Sequence, residues 1–105
     1  MKPKYKTFFT RKAYEDLRDI YRYIKEELQN NSSAIKIVDE VEERIATLEE
    51  YPLSGSLVQD EILQRKGYRK LIINNYIALY TTDDQQHEVH IIRIIYGKRD
   101  YQDLI

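Results

Sequence analysis

Residues 91–105 read IIRIIYGKRDYQDLI. The apolar run stops at Gly97, and the basic pair Lys98 and Arg99 follows it directly. Isoleucine and tyrosine favour strands, and apolar residues at consecutive positions are typical of a strand that is buried on both faces. The sequence therefore predicts a central strand that carries positive charge to the edge of a sheet.

Arg93 is the charged residue inside this strand. Alternation divides the strand into two faces, with Ile91, Arg93 and Ile95 on one and Ile92, Ile94 and Tyr96 on the other. A guanidinium among buried side chains needs a carboxylate partner or access to water. Two interpretations are open: Arg93 pairs with a helix acid such as Glu43, or it lines a cleft on the uncovered side of the sheet.

The second half of the chain predicts an antiparallel meander. Its strands run from Tyr68 to Ile73, from Tyr76 to Thr82 and from Val89 to Tyr96, with Asn74-Asn75 and the polar turn Asp83 to His87 between them. Residues 53–66 predict a polar connection that includes a short turn of helix.

The first half predicts a strand from Tyr5 to Phe9 and two amphipathic helices. We expect Thr10 to cap the start of the first helix and Asn30-Asn31 to end it. Ser32 or Ser33 is expected to cap the second helix, which should end at Tyr51-Pro52. Their apolar stripes are Tyr14, Leu17, Tyr21, Ile24 and Leu28, and then Ile37, Val38, Val41, Ile45 and Leu48.

These elements predict one domain, residues 1–105, of the α+β class. We expect an N-terminal strand, an antiparallel helical hairpin packed on the antiparallel meander, and a short C-terminal tail. No cysteine is present, which excludes disulfides and thiolate metal sites. The sequence also shows no secretory signal and no apolar stretch of membrane-spanning length, so we expect a soluble, cytoplasmic protein.

The net charge of −1 does not indicate a polyanionic partner, but the charges are unevenly placed. Residues 1–12 contain five bases and no acid, and residues 39–50 contain six acids and only Arg44 as a base. Four bases, Arg65, Lys66, Arg69 and Lys70, surround the start of the first meander strand. If the first and last meander strands are antiparallel neighbours, these bases converge with Lys98 and Arg99.

Tyrosines interleave with these bases, and this combination has several interpretations. Arginines among aromatic rings suit phosphate contact with base stacking, or binding of an acidic peptide. The third interpretation is purely structural: tyrosine is a common strand residue, and charged side chains often lie in water along the edge of a sheet. The residues expected to contact a target or partner are Arg65, Tyr68, Arg69, Tyr80, Arg93, Lys98, Arg99 and Tyr101.

Conventional catalysis finds little support in the sequence. There is no serine or cysteine nucleophile in a recognisable motif and no glycine-rich phosphate loop. His87 and His90 lie three residues apart at a turn and the following strand, so they are expected to point to different faces and not to hold a metal. No cofactor or metal is expected.

The order and spacing of these elements resemble the RelE/ParE superfamily of type II toxin–antitoxin toxins. The resemblance is carried by GYRKL at residues 67–71, YIALY at residues 76–80 and HIIRIIYGKRDYQDLI at residues 90–105, and it covers nearly the whole chain. It implies a growth-inhibiting toxin of the plasmid-stabilisation type. It also implies a hetero-oligomer with a cognate antitoxin, whose C-terminal segment wraps around the toxin.

The resemblance leaves two chemistries open. RelE-like members cut mRNA on the ribosome, and here Arg69 and Arg99 match two of their basic catalytic positions. However, Ile77 stands where a RelE-like arginine is expected, and Ile105 occupies the position of the C-terminal tyrosine. This pattern is more similar to ParE-like members, which poison DNA gyrase. A third interpretation is a non-toxic binding partner that regulates its own operon.

Overall fold

The computed structural model describes residues 4–97, in which two helices cover one face of a five-stranded sheet. The strands are β1 (Lys6–Phe9), β2 (Ser56–Leu57), β3 (Arg69–Ile73), β4 (Tyr76–Asp83) and β5 (Glu88–Tyr96). The helices are α1 (Arg11–Arg22), α2 (Asn31–Ala46) and the short α3 (Glu61–Arg65), with a π-helical turn at Tyr23–Glu27 and a 3₁₀ turn at Thr47–Glu49. The predicted α+β architecture is confirmed, and the predicted tail lies outside the described residues.

Side-chain caps start both helices of the hairpin. The Thr10 hydroxyl accepts the Ala13 N–H at 3.2 Å, as predicted. The second cap is Asn30, whose side chain accepts the Ser33 N–H at 3.0 Å, so the prediction of Ser32 or Ser33 was wrong. The turn between the helices passes through the left-handed region at Gln29 (φ 49°) rather than at an asparagine.

Most of the predicted apolar stripes face the core, but two residues of the first stripe do not. Tyr14 and Leu28 are 62% and 57% exposed. Ala13, which is fully buried, and the half-buried Ile20 lie against the sheet on that side. Leu28 leaves the stripe because the π-helical turn changes the rotation of the chain after Arg22.

The strand order is β1-β5-β4-β3-β2, with β1 parallel to β5 and the other neighbours antiparallel. The last strand is therefore internal, as predicted. However, β4 lies between β3 and β5, and the two outer strands of this meander run in the same direction. The start of β3 and the end of β5 are thus at opposite ends of the sheet, so the condition set for convergence of the basic residues, antiparallel neighbouring strands, is not met.

A β-bulge in β5 also changes the predicted faces. Leu79 pairs with Arg93 but the next residue, Tyr80, pairs with Ile91, so Ile92 is an extra residue on the β5 side. The bulge separates Ile91 from Ile95, which were expected on one face. Ile91 instead shares the helix-side core with Ile94.

The sheet has a core on each face. The larger core lies under the hairpin and joins α1 and α2 to alternate residues of β3, β4 and β5. The smaller one consists of Val58, Leu63, Ile77, Leu79 and Ile95, so the 58–63 segment covers part of the face away from the hairpin. Across residues 4–97, no helix combines the length and the apolar character needed to cross a membrane.

Candidate functional site

Arg93 is held by Asp16 of α1 at the edge of the sheet. Its Nε donates to Asp16 Oδ2 at 2.6 Å and a terminal nitrogen donates to Oδ1 at 3.0 Å, so the contact is bidentate. The same Oδ2 accepts the backbone N–H of Ile94 at 3.0 Å. Strand β1 pairs with β5 only as far as Ile91, and the Asp16 carboxylate therefore takes up a β5 donor beyond the end of β1.

This ion pair is largely removed from water, with 11% and 13% of the two side chains exposed. The hydrogen bond that Arg93 donates to Asp16 raises the pKa of Arg93, burial opposes that rise, and the charge of Asp16 adds to it. The guanidinium thus has a carboxylate partner, as one interpretation expected. The suggested partner, Glu43, was wrong because α1 rather than α2 lies beside this part of β5.

Arg93 also borders a groove of about 710 Å³, which lies between α1, the start of β4 and the end of β5. We call it the tyrosine groove, since Tyr23, Tyr76 and Tyr96 line it together with Leu28 and the acids Asp16 and Asp19. The rings of Tyr76 and Tyr96 meet edge to face with centroids 5.9 Å apart. Burial raises the pKa of the Tyr76 phenol, and the neighbouring phenols of Tyr96 and Tyr23 raise it further.

The π-helical turn gives the groove its exposed wall. Tyr23 and Leu28, at its start and just after its end, are 55% and 57% exposed although they belong to an otherwise amphipathic hairpin. Turns of this kind inside α-helices occur frequently at functional sites. A groove with apolar walls, phenol hydroxyls and a buried ion pair suits a polypeptide segment better than a free phosphate.

Arg69, at the start of β3, lies at the other end of the sheet and has structural contacts. A terminal nitrogen of Arg69 donates to the carbonyls of Gly55 at 2.7 Å and Leu53 at 3.3 Å. Tyr80 is fully buried, and its hydroxyl accepts the Gly55 N–H at 3.0 Å. Together, Arg69 and Tyr80 hold the loop before β2, and in this conformation Tyr80 has no surface to offer a partner.

Burial raises the pKa of Tyr80, while the Gly55 hydrogen bond and the charge of Arg69 lower it.

Arg65 is exposed and pairs with Glu61 one helical turn earlier at 2.8 Å. Tyr68 is half-buried against the smaller core. The remaining predicted contact residues, Lys98, Arg99 and Tyr101, lie outside the described residues.

The two ends of the sheet are well separated. Arg69 is level with Tyr80 and Ile91, whereas Gly97 donates to the Asn75 carbonyl at 2.8 Å beyond Tyr96. Five to six strand residues between these levels correspond to roughly 15–20 Å. Arg93 pairs with Leu79, one position from the Arg69 level, but of the described predicted site residues it alone lines the groove that includes Tyr76 and Tyr96.

The two histidines contact different aromatic residues. The ring of His87 meets Tyr5 edge to face at 5.3 Å, while His90 stacks on Phe8 at 5.7 Å and its Nε2 lies 3.0 Å from Glu88. Between residues 4 and 97, no three histidine or acidic side chains form a group able to hold a metal ion.

Sequence reasoning missed Asp16, Tyr23 and Leu28 as parts of this site. Asp16 lies among several helix acids, and its identity as a partner depends on where α1 crosses β5. Tyr23 lies between Tyr21 and Ile24 in the sequence but does not belong to the predicted apolar stripe. A tyrosine at such an exposed helix position was the one signal available in the sequence.

Comparison with known proteins gives consistent results. The family described as the ParE toxin of type II toxin–antitoxin systems, parDE, matches residues 8–101. The chain is similar to one from the chromosomal ParDE system of P. aeruginosa, with 25% identity, a TM-score of 0.73, and coverage of 90% of this chain and 97% of that chain.

A chain of the RelBE2 toxin–antitoxin complex of Mycobacterium tuberculosis shares the fold. It has 23% identity and a TM-score of 0.63, and the match covers 89% of this chain and 98% of that one. No curated protein matches the chain.

Proposed function

The chain belongs to the family of ParE toxins of type II toxin–antitoxin systems, and from this premise we propose that it arrests cell growth by poisoning DNA gyrase. The observation that carries the proposal is the family match over residues 8–101, which includes every helix and all strands apart from the first two residues of β1. Action on gyrase would place the protein in the cytoplasm.

Three placements favour this function over ribosome-dependent mRNA cleavage. Ile77 is buried in the smaller core at the position where a RelE-like arginine is expected. The Arg69 guanidinium is bonded to two loop carbonyls. Finally, Arg69 lies at the opposite end of the sheet from Gly97. A nuclease needs its cations gathered around one phosphate, and these placements work against such a cluster.

We further propose that a cognate antitoxin neutralises the chain by covering the tyrosine groove. The similar P. aeruginosa chain comes from a ParDE toxin–antitoxin system. The groove offers exposed apolar and phenol surface next to a rigid ion pair, which is the usual composition of a binding hot spot. A hetero-oligomer of toxin and antitoxin follows from this proposal.

A supercoiling assay with purified gyrase tests the proposed function. We expect the protein to inhibit supercoiling and to increase the amount of cleaved DNA, and its induction in cells to start an SOS response. No effect on gyrase at stoichiometric excess would contradict the proposal. Codon-phased mRNA cleavage on ribosomes, abolished by Arg99→Ala, would establish the RelE-like alternative instead, and the absence of growth arrest would indicate a non-toxic binding partner.

A further inference from the structure

A second concave site lies where the start of β1, the loop after α2 and the β4–β5 turn meet. Its volume is about 550 Å³, and it shares no lining residue with the tyrosine groove. Tyr5, Tyr51 and His87 provide aromatic surface, Leu53 provides aliphatic surface, and Glu50 provides a carboxylate. We call this site the Tyr5–Tyr51 cleft.

Backbone hydrogen bonds fix the walls of the cleft. The Tyr5 N–H donates to the Glu49 carbonyl and the Lys6 N–H to the His87 carbonyl, both at 2.9 Å. The Ser54 N–H donates to the Tyr51 carbonyl at 3.1 Å. Since three separate segments are joined in this way, the site is formed before any ligand arrives, which lowers the entropic cost of binding.

The cleft keeps apolar side chains in contact with water. Tyr51 is 64% exposed and Leu53 is 56% exposed, and the two lie next to each other across Pro52. Single exposed apolar residues need no explanation, but neighbouring ones in a concave site indicate binding. Tyr5 and His87, which also line the cleft, pack against each other edge to face.

The charges around the cleft favour a cation. The Tyr5 hydroxyl donates to Asp84 at 2.8 Å. That hydrogen bond raises the pKa of Tyr5, and slight burial and the charges of Asp84 and Asp83 raise it further, which indicates a negative local potential. Glu50 is paired only loosely with Lys4, at 3.7 Å between largely exposed side chains. Such pairs contribute little stability, so a better-placed cation can displace the lysine.

We propose that the Tyr5–Tyr51 cleft binds an arginine side chain presented by a peptide segment of a partner protein. Aromatic faces attract a guanidinium, which stacks on them and can form a fork of hydrogen bonds to a carboxylate such as Glu50. An anionic ligand would meet the Glu50 carboxylate, and a purely apolar one would leave that carboxylate without a new partner. The inference does not depend on gyrase being the target.

Amide NMR of the full chain tests the proposal, with acetyl-Gly-Arg-Gly-amide as the probe. We expect saturable shifts at residues 51, 53, 54 and 87. The same peptide with citrulline, which keeps the shape of arginine but lacks its charge, should bind at least about fivefold more weakly. Equal shifts from the citrulline peptide, or no saturation with arginine, would overturn the proposal.

Matched variants identify the groups involved. Glu50→Gln should weaken binding of the arginine peptide at least about fivefold, whereas Glu42→Gln on the exposed surface of α2 should not change it. Tyr51→Ala should weaken it to a similar degree, with the comparably exposed Tyr14→Ala as its control. Lys4→Ala removes the competing ammonium and should strengthen binding. Unchanged affinity in both Glu50→Gln and Tyr51→Ala would place the peptide elsewhere and overturn the proposal.

Discussion

The guanidinium of Arg93 and the carboxylate of Asp16 form a bidentate ion pair that joins β5 to α1 across 77 residues of sequence. The carboxylate also accepts the Ile94 N–H, so one side chain fixes the position of the helix, the direction of the arginine and the edge of the strand. The tyrosine groove is built against this junction. The rigidity of its inner wall therefore depends on Asp16.

Replacing Asp16 by alanine should lower the free energy of unfolding by about 2–4 kcal/mol. The cause is the loss of the three hydrogen bonds at an ion pair whose side chains are only 11% and 13% exposed. The measurement is urea unfolding followed by circular dichroism. Asp19→Ala is the control, because Asp19 is exposed and lies 3.8 Å from Arg18 in a weak pair; a loss above about 0.5 kcal/mol there, or none at Asp16, would contradict the expectation.

Thr10 joins the start of α1 to β5. Its hydroxyl accepts the Ala13 N–H and lies 2.9 Å from the Ile91 carbonyl, to which it can donate. Thr10→Val keeps the shape but removes both bonds, and should cost about 1–2 kcal/mol in thermal or urea unfolding. Thr47→Val removes an exposed hydroxyl bonded to the Arg44 carbonyl and should cost less than about 0.5 kcal/mol. Equal losses for the two valines would contradict a capping role.

Gly55 is required by close packing, whereas Gly67 is required by backbone conformation. A Cβ at Gly55 would lie 2.6 Å from both the Lys70 carbonyl oxygen and the Tyr80 hydroxyl. At Gly67 the space is open but φ is +82°. Unfolding should therefore show a loss of about 2–3 kcal/mol for Gly55→Ala and about 1 kcal/mol for Gly67→Ala. A larger loss of stability for Gly67→Ala than for Gly55→Ala would show that the loop before β2 can shift to make room for a Cβ at residue 55.

Much of this fold was predictable from local patterns. Period-2 and period-3.6 spacing located β3, β4, β5 and both long helices within a few residues, because each places an apolar face against a core. The cap at Thr10 was also predictable, since a hydroxyl stands directly before the periodic run. The family resemblance agreed with the match found over residues 8–101.

Several of the missed features depend on pairing between strands or between distant segments. Alternation cannot reveal the bulge at Ile92, because one extra residue reverses every later side chain without changing composition. The parallel pairing of β1 with β5 joins residues about eighty positions apart in the sequence. The choice of Asp16 over Glu43 as the partner of Arg93 follows from that pairing, which brings the start of α1 beside β5.

Alkaline pH should destabilise the protein through the buried phenol of Tyr80 and the partly buried phenol of Tyr76. Burial raises the pKa of Tyr76 and Tyr80 above the ordinary value of 10.0. As the pH rises through 10, the unfolded chain loses phenolic protons that the folded chain keeps, so the unfolded state binds fewer protons and stability falls. The stability that the protonated phenols contribute is fully present below pH 10 and is lost as the pH rises through their raised pKa values in the folded state. Urea unfolding at pH 8 to 11 should give a shallower decline for Tyr76→Phe than for the parent; an identical decline would contradict the assignment.

Tyr23 offers the most direct test of the tyrosine groove under the proposed toxin function. Its side chain is 55% exposed on the outer wall, so Tyr23→Ala should leave unfolding nearly unchanged while removing aromatic contact area from the groove. Loss of an interface tyrosine typically weakens binding by about 1–2 kcal/mol, or roughly five- to thirtyfold.

We therefore expect Tyr23→Ala to weaken antitoxin binding in a titration by about that factor. Tyr14→Ala is the matched control, since Tyr14 is 62% exposed on the same hairpin but does not line the groove. Circular dichroism shows whether both variants fold. If Tyr14→Ala lost as much affinity as Tyr23→Ala, the antitoxin would contact the outer face of the hairpin instead, and the groove would not be its principal site.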